Sequence, residues 1–424
     1  MPIGFTSLAQ WLKWQETLHP AAIDLTLERV SRVHKAMGSP KPAPVVVTVG
    51  GTNGKGSCVA MLESILRAGG YRVGTYSSPH LLKYNERIRI EGTEATDEAI
   101  IRAFEVIDSV REEISLTYFE FGTLAALYLF GQQTLDAVIL EVGLGGRLDA
   151  TNIVDADLAL ISSVGLDHQQ WLGRDREAIG YEKAGIFRSG CPAVYGDPQP
   201  PDSVLRAARQ RGTKLFRLGE DYGYEMSTSD WHWTFAQDRL ENLPSPGLAG
   251  GQQYQNASAV LMALRALAAI LPVDTAAIRQ GLAAVTLPGR YQRMAERPEV
   301  VLDVAHNPDA FQMLAMTLKT QPSRVTRIVL GVLEDKAIGD MLPLLAPHID
   351  YWHLASPDTP RGLSVDRLKA AVKSVSQKPV FVYTSVTDAF TAARSAAGDN
   401  ERILVTGSFF TVAEIMARYY PEGL

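Results

Sequence analysis

Cysteine is nearly absent: the 424-residue chain has two, Cys58 and Cys191. Two thiols make neither a disulfide framework nor a cysteine-rich metal centre, and they point to a reducing, cytoplasmic compartment. A long apolar run is missing too. The best stretch, Ala257 to Val273, is broken by Arg265 and falls short of the ~20 residues that span a bilayer. The amino-terminal MPIGFTSLAQWLKW lacks the basic start and apolar body of a signal peptide. Basic residues are not in excess either: 41 Lys plus Arg against 47 Asp plus Glu leave a net charge of −6. That argues against a nucleic-acid binder, which presents a basic surface. It leaves anionic small molecules open, because a local cluster can oppose the global sign.

The composition that remains, 46% apolar and 21% charged, is enough for large buried cores. At roughly 100–200 residues per domain, the length predicts two or three domains. Ser7 to Met37 reads as helices with a loop at His19-Pro20, and Gly38 to Pro44 is a proline-rich breaker. A β-branched strand, Val45 to Val49, runs through a glycine-rich turn into a helix from Ser57 to Ala68, stopped at Gly69-Gly70. Further strands are predicted at Arg72 to Tyr76, Ala137 to Val142 and Leu158 to Val164, with a long apolar helix from Tyr118 to Phe130. This alternation predicts an α/β fold with a parallel-rich sheet covered on both faces. Tyr222 to Leu240 alternates and holds Trp231 and Trp233, which predicts a hairpin. Gln255 to Leu271 reads as an alanine-rich helix, and Leu287-Pro288-Gly289-Arg290 marks a junction. The chain thus divides into a P-loop domain, 1–287, and a smaller α/β domain, 288–424. The latter has strands at Val300 to Val304, Arg327 to Leu330, Tyr351 to Leu354, Val380 to Tyr383 and Ile403 to Thr406.

The strongest local signal is Gly51-Thr52-Asn53-Gly54-Lys55-Gly56-Ser57 between strand and helix. Glycines let backbone N–H groups turn inward around phosphate oxygens, the helix N-terminus adds a positive dipole end, and Lys55 adds a point charge. The spacing departs from the common P-loop, since only Thr52 and Asn53 separate the first two glycines. A second signal is Glu141, at the end of an apolar strand and followed by Gly143, Gly145, Gly146 and Asp149. A carboxylate there reaches Mg²⁺ beside a phosphate loop on a neighbouring strand, and Mg²⁺ needs only one or two carboxylates. Asp167-His168 and Tyr76-Ser77-Ser78-Pro79-His80 also follow strands. So do Asp303 to Pro308 and Leu404 to Ser408. Taken alone, Asp167-His168 and Tyr76 to His80 read more readily as structural, while the other two are about as consistent with a plain turn as with a ligand loop. Lys183, by itself, reads as a solvated helix lysine.

Taken together and in order, these segments closely resemble the folylpolyglutamate synthase family, within the Mur ligase superfamily. The set is GTNGKGS (Gly51–Ser57), YSSPHL (Tyr76–Leu81), ILEVGLGGRLDATN (Ile139–Asn152), Asp167-His168, EKAGIF (Glu182–Phe187), PGR (Pro288–Arg290) and DVAHNP (Asp303–Pro308). The resemblance is to the bacterial bifunctional branch, which also acts on dihydropteroate. It implies a Mur-ligase-like P-loop domain followed by a Rossmann-like C-terminal domain. It also implies ATP-dependent amide formation between a substrate carboxylate and the amine of L-glutamate, through an acyl phosphate.

Carried over residue by residue, the resemblance assigns Thr52, Asn53, Gly54, Lys55, Gly56 and Ser57 to ATP phosphates, and Asn256, Arg290 and Asp303 to further ATP contacts. Ser78, Glu141 and His168 match magnesium ligands, and Lys183 matches a carbamylated lysine. Lys55, Lys183 and His168 are the catalytic candidates. Asp24, Leu25, Thr26 and Leu27, with Thr117, Tyr118, Phe119 and Glu120 and with Leu148, Asp149 and Ala150, match dihydropteroate-binding segments. His306 and Ser408 are assigned to the glutamate side. The implied cofactors are Mg²⁺, as two ions, and K⁺. The implied partners are ATP, dihydropteroate, tetrahydrofolate and L-glutamate, with no nucleic acid, no membrane and a monomeric chain. The competing readings are a synthase confined to folylpolyglutamates, a Mur-type ligase on another carboxylate, and a nucleotide-dependent binding module.

Overall fold

A computed structural model describes residues 4–38, 41–227, 230–321 and 324–420. Ser39 and Pro40 of the breaker, the first three residues and the last four lie outside the described residues. The chain forms two units: Met1–Gly247 with Tyr254–Val285, and Leu248–Gln253 with Thr286–Leu424. The short segment Leu248–Gln253, read from sequence as part of the first domain, groups with the second.

The first unit is built on strands β1 (Val45–Gly50), β2 (Val73–Tyr76), β3 (Ile88–Ile90), β4 (Thr93–Glu94), β5 (Ala137–Glu141), β6 (Leu158–Ile161), β7 (Pro192–Tyr195) and β8 (Lys214–Arg217). They form one sheet in the order β4-β3-β2-β5-β1-β6-β7-β8. All pairings from β2 across to β8 are parallel, and only the two that β3 makes, with β2 and with β4, are antiparallel. Every residue of β1 is buried, which is why its sequence is an unbroken valine-rich run rather than an alternation. Parallel pairing brings the carboxyl ends of β2, β5, β1 and β6 to one edge, where α/β folds bind ligands.

The helix after β1 runs Lys55–Ala68, starting two residues earlier than the sequence predicts, because Gly54 caps it in the left-handed region (φ 89°). On one side of the sheet an aromatic core gathers Trp11, Phe104 and Phe121, with Phe104 and Phe121 edge-to-face at 5.2 Å. The predicted hairpin is instead a three-stranded antiparallel sheet of β9 (Tyr222–Met226), β10 (Trp231–Phe235) and β11 (Asp238–Leu243). Buried Trp231 and Trp233 donate to Pro244 O and Ser258 O.

The second unit has strands β12 (Gln292–Glu296), β13 (Glu299–Leu302), β14 (Thr326–Leu330), β15 (Tyr351–Leu354), β16 (Val380–Val382) and β17 (Arg402–Thr406). Their order is β12-β13-β17-β14-β15-β16. All pair in parallel except β12, an antiparallel edge strand that the sequence pattern did not reveal. Helices Pro308–Thr320, Ile338–Leu345 and Val365–Val375 share a core with Ile328, Leu330, Trp352 and Leu404.

One close contact supports the phosphate-loop helix from behind. A Cβ on Gly281, in helix Thr275–Ala284, would stand 2.4 Å from Ile65 Cα, and Ser64 Oγ donates to Gly281 O at 2.8 Å. Gly281→Ala must push the two helices apart. We expect it to destabilise the protein by ~1–3 kcal/mol, read as a lower urea midpoint; an unchanged midpoint would contradict this packing.

Candidate active site

The loop after β1 is held by the end of β6. Thr52 N donates to Ser163 O (2.9 Å), and Thr52 Oγ1 both accepts from Gly165 N (3.0 Å) and donates to Gly165 O (3.2 Å). Asn53 N donates to Ser163 Oγ, and Asn53 O accepts from Ser162 Oγ and Ser163 Oγ. Ser162 and Ser163 were missed from sequence; their signal is a pair of hydroxyls directly after an apolar strand. A Cβ on Gly54 would fall 2.5 Å from Asn256 Oδ1. Glycine is therefore required there twice over, for its positive φ and for the buried Asn256 against it. Ser57 is buried in the first turn of the following helix.

Two lysines converge on this loop. Lys55 Nζ donates to Gly51 O (3.1 Å) and Thr52 O (3.2 Å). Lys183 Nζ donates to the same Gly51 O at 2.8 Å. The solvated reading of Lys183 is thereby corrected: the residue is 4% exposed. Ile179, one turn earlier, lies on the same buried face of helix Arg176–Lys183, and that i, i+4 spacing was the available signal. Burial, then the nearby Lys55 charge, lowers the Lys183 amine from 10.5 to about 7, against the opposing pull of Asp167 and Asp149.

Glu141 ends β5, beside β1, and is 4% exposed. Ser78 N donates to its Oε2 at 3.3 Å, so the loops after β2 and β5 meet. His168 follows β6, in the left-handed region (φ 51°), with its N–H on Asp167 Oδ1 (2.9 Å). Asp149 is buried and fully engaged: it accepts from Leu144 N, Thr151 N and Thr151 Oγ1, and burial raises its carboxyl above the usual range. Its role here is to fold the glycine-rich loop over β5. Leu148 beside it is half-buried and Ala150 is buried.

The other two predicted pterin segments are joined by residues the sequence did not reveal. Arg29 donates to Asp24 Oδ2 (2.7 Å) and to Glu120 Oε1 (3.1 Å). His19 lies 3.2 Å from the same Asp24 oxygen and 2.8 Å from Ser115 Oγ. Leu25, Thr26 and Leu27 are half-buried beside this network. Thr117 and Glu120 form a reciprocal capping box at the start of helix Tyr118–Gly131. Phe119, half-buried, stands against Gly143 and 5.8 Å from the Tyr76 ring. Phe121 packs in the core, and Tyr118 lies under the Arg87 guanidinium at 5.6 Å.

In the second unit, Asp303 follows β13 and accepts from Tyr291 N and Ala305 N, 2.8 Å each. Burial raises its carboxyl, opposed by those bonds and by the charges of Arg290 and His306. Arg290 lies 5.4 Å from the Phe409 ring centroid and the His306 ring 5.8 Å from it, so Phe409, unforeseen from sequence, organises both. Ser408 is buried and caps helix Phe409–Tyr419, accepting from Thr411 N.

Comparison with known proteins adds to this geometry. The "Mur ligase middle domain" family matches residues 49–264, and "Mur ligase, glutamate ligase domain" matches residues 289–409. The dihydrofolate synthase/folylpolyglutamate synthase of Escherichia coli (strain K12) is 48% identical over 417 residues, covering 98% of this chain and 96% of its own. The chain belongs to the folylpolyglutamate synthase family of Mur ligases. Among solved members of that family, E. coli FolC in complex with DHPP and ADP is 47% identical. It superposes with a TM-score of 0.94 over 98% of both chains. A bifunctional folylpolyglutamate synthase/dihydrofolate synthase with Mn, AMPPNP and L-glutamate bound is 46% identical, with a TM-score of 0.91 over 98% of each chain.

For this family member the lysine beside the phosphate loop gives a direct test. Selective ¹³Cε labelling should show Lys183 titrating near pH 7 rather than at the ordinary lysine value of 10.5. Unfolding returns the amine to its ordinary value. Between those two pH values the unfolded chain therefore binds the extra proton, and this group makes the fold more stable as pH rises. A Lys183 resonance that titrates at the ordinary lysine value would contradict its burial.

Proposed function

We propose that this protein ligates L-glutamate to dihydropteroate, forming dihydrofolate, and to tetrahydrofolate and its polyglutamates, at the expense of ATP. The observation that carries the reading is the convergence of Lys55 and Lys183 on Gly51 O beside the buried Glu141. A glycine-rich loop running into a helix N-terminus, with Lys55 beside it, is an acceptor for a polyphosphate. The likeness to relatives named for both activities supports the substrates.

A carboxylate is a poor electrophile and must be activated. In this reading a substrate carboxylate oxygen attacks the γ-phosphorus of ATP, the β–γ bridge breaks, and ADP leaves. The glutamate nitrogen then adds to the acyl carbon, loses its proton, and expels phosphate from the tetrahedral intermediate. Phosphoryl transfer asks the protein mainly for positioning and charge neutralisation. Lys55 and the N–H groups of Gly54 to Ser57, at the start of the helix, supply both for the phosphates. Among the described residues no group of three or more His, Cys, Asp and Glu side chains stands close enough to hold a metal by itself. One carboxylate, one imidazole and one hydroxyl still fit Mg²⁺, which keeps several waters and completes its shell with phosphate oxygens. Glu141, Ser78 and His168 would hold it, and when bound it neutralises phosphate charge. A second Mg²⁺ and K⁺ belong to the same proposal.

Lys183 is read as carbamylated: its neutral amine would take up CO₂ and become an anion compatible with a nearby cation. Asn256, Arg290 and Asp303 are read as ATP contacts, His306 as a glutamate contact with Ser408 shaping its loop, and Phe119, Tyr118, Leu25, Thr26, Leu27, Leu148 and Ala150 as pterin-facing. A monomeric, cytoplasmic enzyme completes the proposal. Among the described residues no helix is long and apolar enough to cross a membrane.

One observation favours a narrower reading, a synthase confined to folylpolyglutamates. Asp24 and Glu120 are engaged with Arg29, and Asp149 with its own loop, so all three have structural work. Phosphate release decides. With ATP and Mg²⁺, we expect glutamate-dependent release with dihydropteroate and with tetrahydrofolate; release with tetrahydrofolate alone would leave the narrower reading, and release with neither would overturn both. Lys55→Ala should lower kcat about 10²–10³-fold, the usual loss of one donor to developing charge; near-normal turnover would refute its role.

A further inference from the structure

Beside Lys183 lies a clamp that the proposed reaction does not use. Helix Arg176–Lys183 ends at that lysine, and the glycine-rich loop after β5 lies against its end. Arg147 N donates to Glu182 O at 2.8 Å. The Arg147 guanidinium forks onto the Glu182 carboxylate, Nη2 to Oε1 at 2.9 Å and Nε to Oε1 and Oε2 at 3.2 Å each. It also lies 5.6 Å from the Tyr181 ring centroid. The contact is tight: a Cβ on Gly146 would stand 2.9 Å from both Glu182 O and Lys183 O, and one on Gly185 would stand 2.3 Å from Arg147 Cβ. Asn152 Nδ2 donates to Arg147 O and Gly185 O, closing the loop onto the helix end.

The two residues before Lys183 and the second residue after it are thus fixed to one loop. A forked guanidinium–carboxylate pair sets angle as well as distance, which a lysine's point charge does not. We propose that Arg147, acting through Glu182, is a positioning residue that holds the Lys183 amine at Gly51 O and thereby sets how fully that amine is converted to its carbamate. This rests on the reading of Lys183 given above. In the conversion the nitrogen lone pair forms a bond to the carbon of CO₂, one C=O electron pair moves to oxygen, and the nitrogen releases a proton to solvent. The addition is reversible, so the anion persists only where a cation faces it. Lys55, on the same carbonyl oxygen, is that cation. A Lys183 side chain that swings away loses it, and the carbamate reverts.

The test is ¹³C NMR of the wild-type chain and of R147A, R147K and E182Q, each equilibrated with ¹³C-bicarbonate, alongside steady-state kinetics. Urea midpoints establish that each variant is folded; R147K and E182Q serve if R147A is not. We expect a carbamate carbon in the wild type and a weaker signal in R147A and E182Q, with R147K between. kcat should fall ~10–100-fold, the usual loss when a supporting partner is removed, with little change in KM for ATP. Added bicarbonate should restore both signal and kcat. A full carbamate signal in folded R147A and E182Q would overturn the clamp while leaving the reading of Lys183 standing. No signal in the wild type would overturn both.

Discussion

Two lysine amines share one carbonyl oxygen at the heart of this protein, Lys55 and Lys183 on Gly51 O. Much of the first unit can be read as the means of keeping them there. A second positive charge this close and buried is costly, which lowers the Lys183 amine to about 7 and calls for compensation where it is protonated. Part comes from Asp149 and Asp167, whose charges act on Lys183. The rest is a standing preference for an anion, which is what a polyphosphate and a substrate carboxylate bring. Low exposure strengthens that preference, because screening by water is weak where the groups are buried.

The sheet makes the arrangement possible. With β2, β5, β1 and β6 adjacent and parallel, Ser78, Glu141, the phosphate loop and His168 leave the same edge from four neighbouring strands. None of these segments is close to another in sequence, and no local pattern could have brought them together. Helix Thr275–Ala284, packed on the phosphate-loop helix through Gly281, fixes that helix from the far side. The second unit repeats the principle on a smaller scale: loops after β13 and β17 bring Asp303, His306 and Phe409 together at one edge of a parallel sheet.

Much of this was legible in the sequence. The buried strands announced themselves as β-branched runs, and the glycine loop, its lysine and the strand-end glutamate carry their chemistry in residue type and order. Burial and pairing were less legible. Lys183 looked solvated because a lysine on a helix usually is; only its spacing from Ile179 hinted otherwise. Arg29, which joins Asp24 to Glu120 across 91 positions, and Ser163, which holds Asn53 from 110 away, depend on tertiary contacts that no window of sequence contains. Strands β3, β4 and β12 were missed because short strands with few buried residues leave little apolar pattern. The hairpin grew a third strand because the largely polar, exposed Asp238–Leu243 pairs with Trp231–Phe235 through backbone contacts rather than through its own apolar content.

The central claim is that these charges are assembled to move a phosphoryl group onto a carboxylate before the amine arrives. Hydroxylamine trapping tests it most directly. The protein is incubated with ATP, Mg²⁺, dihydropteroate and hydroxylamine, without glutamate, and the products are searched for the dihydropteroyl hydroxamate. The account requires the hydroxamate to form, in step with ADP, and to be lost in Lys55→Ala. ADP and product made only when glutamate is present, with no hydroxamate in its absence, would contradict it.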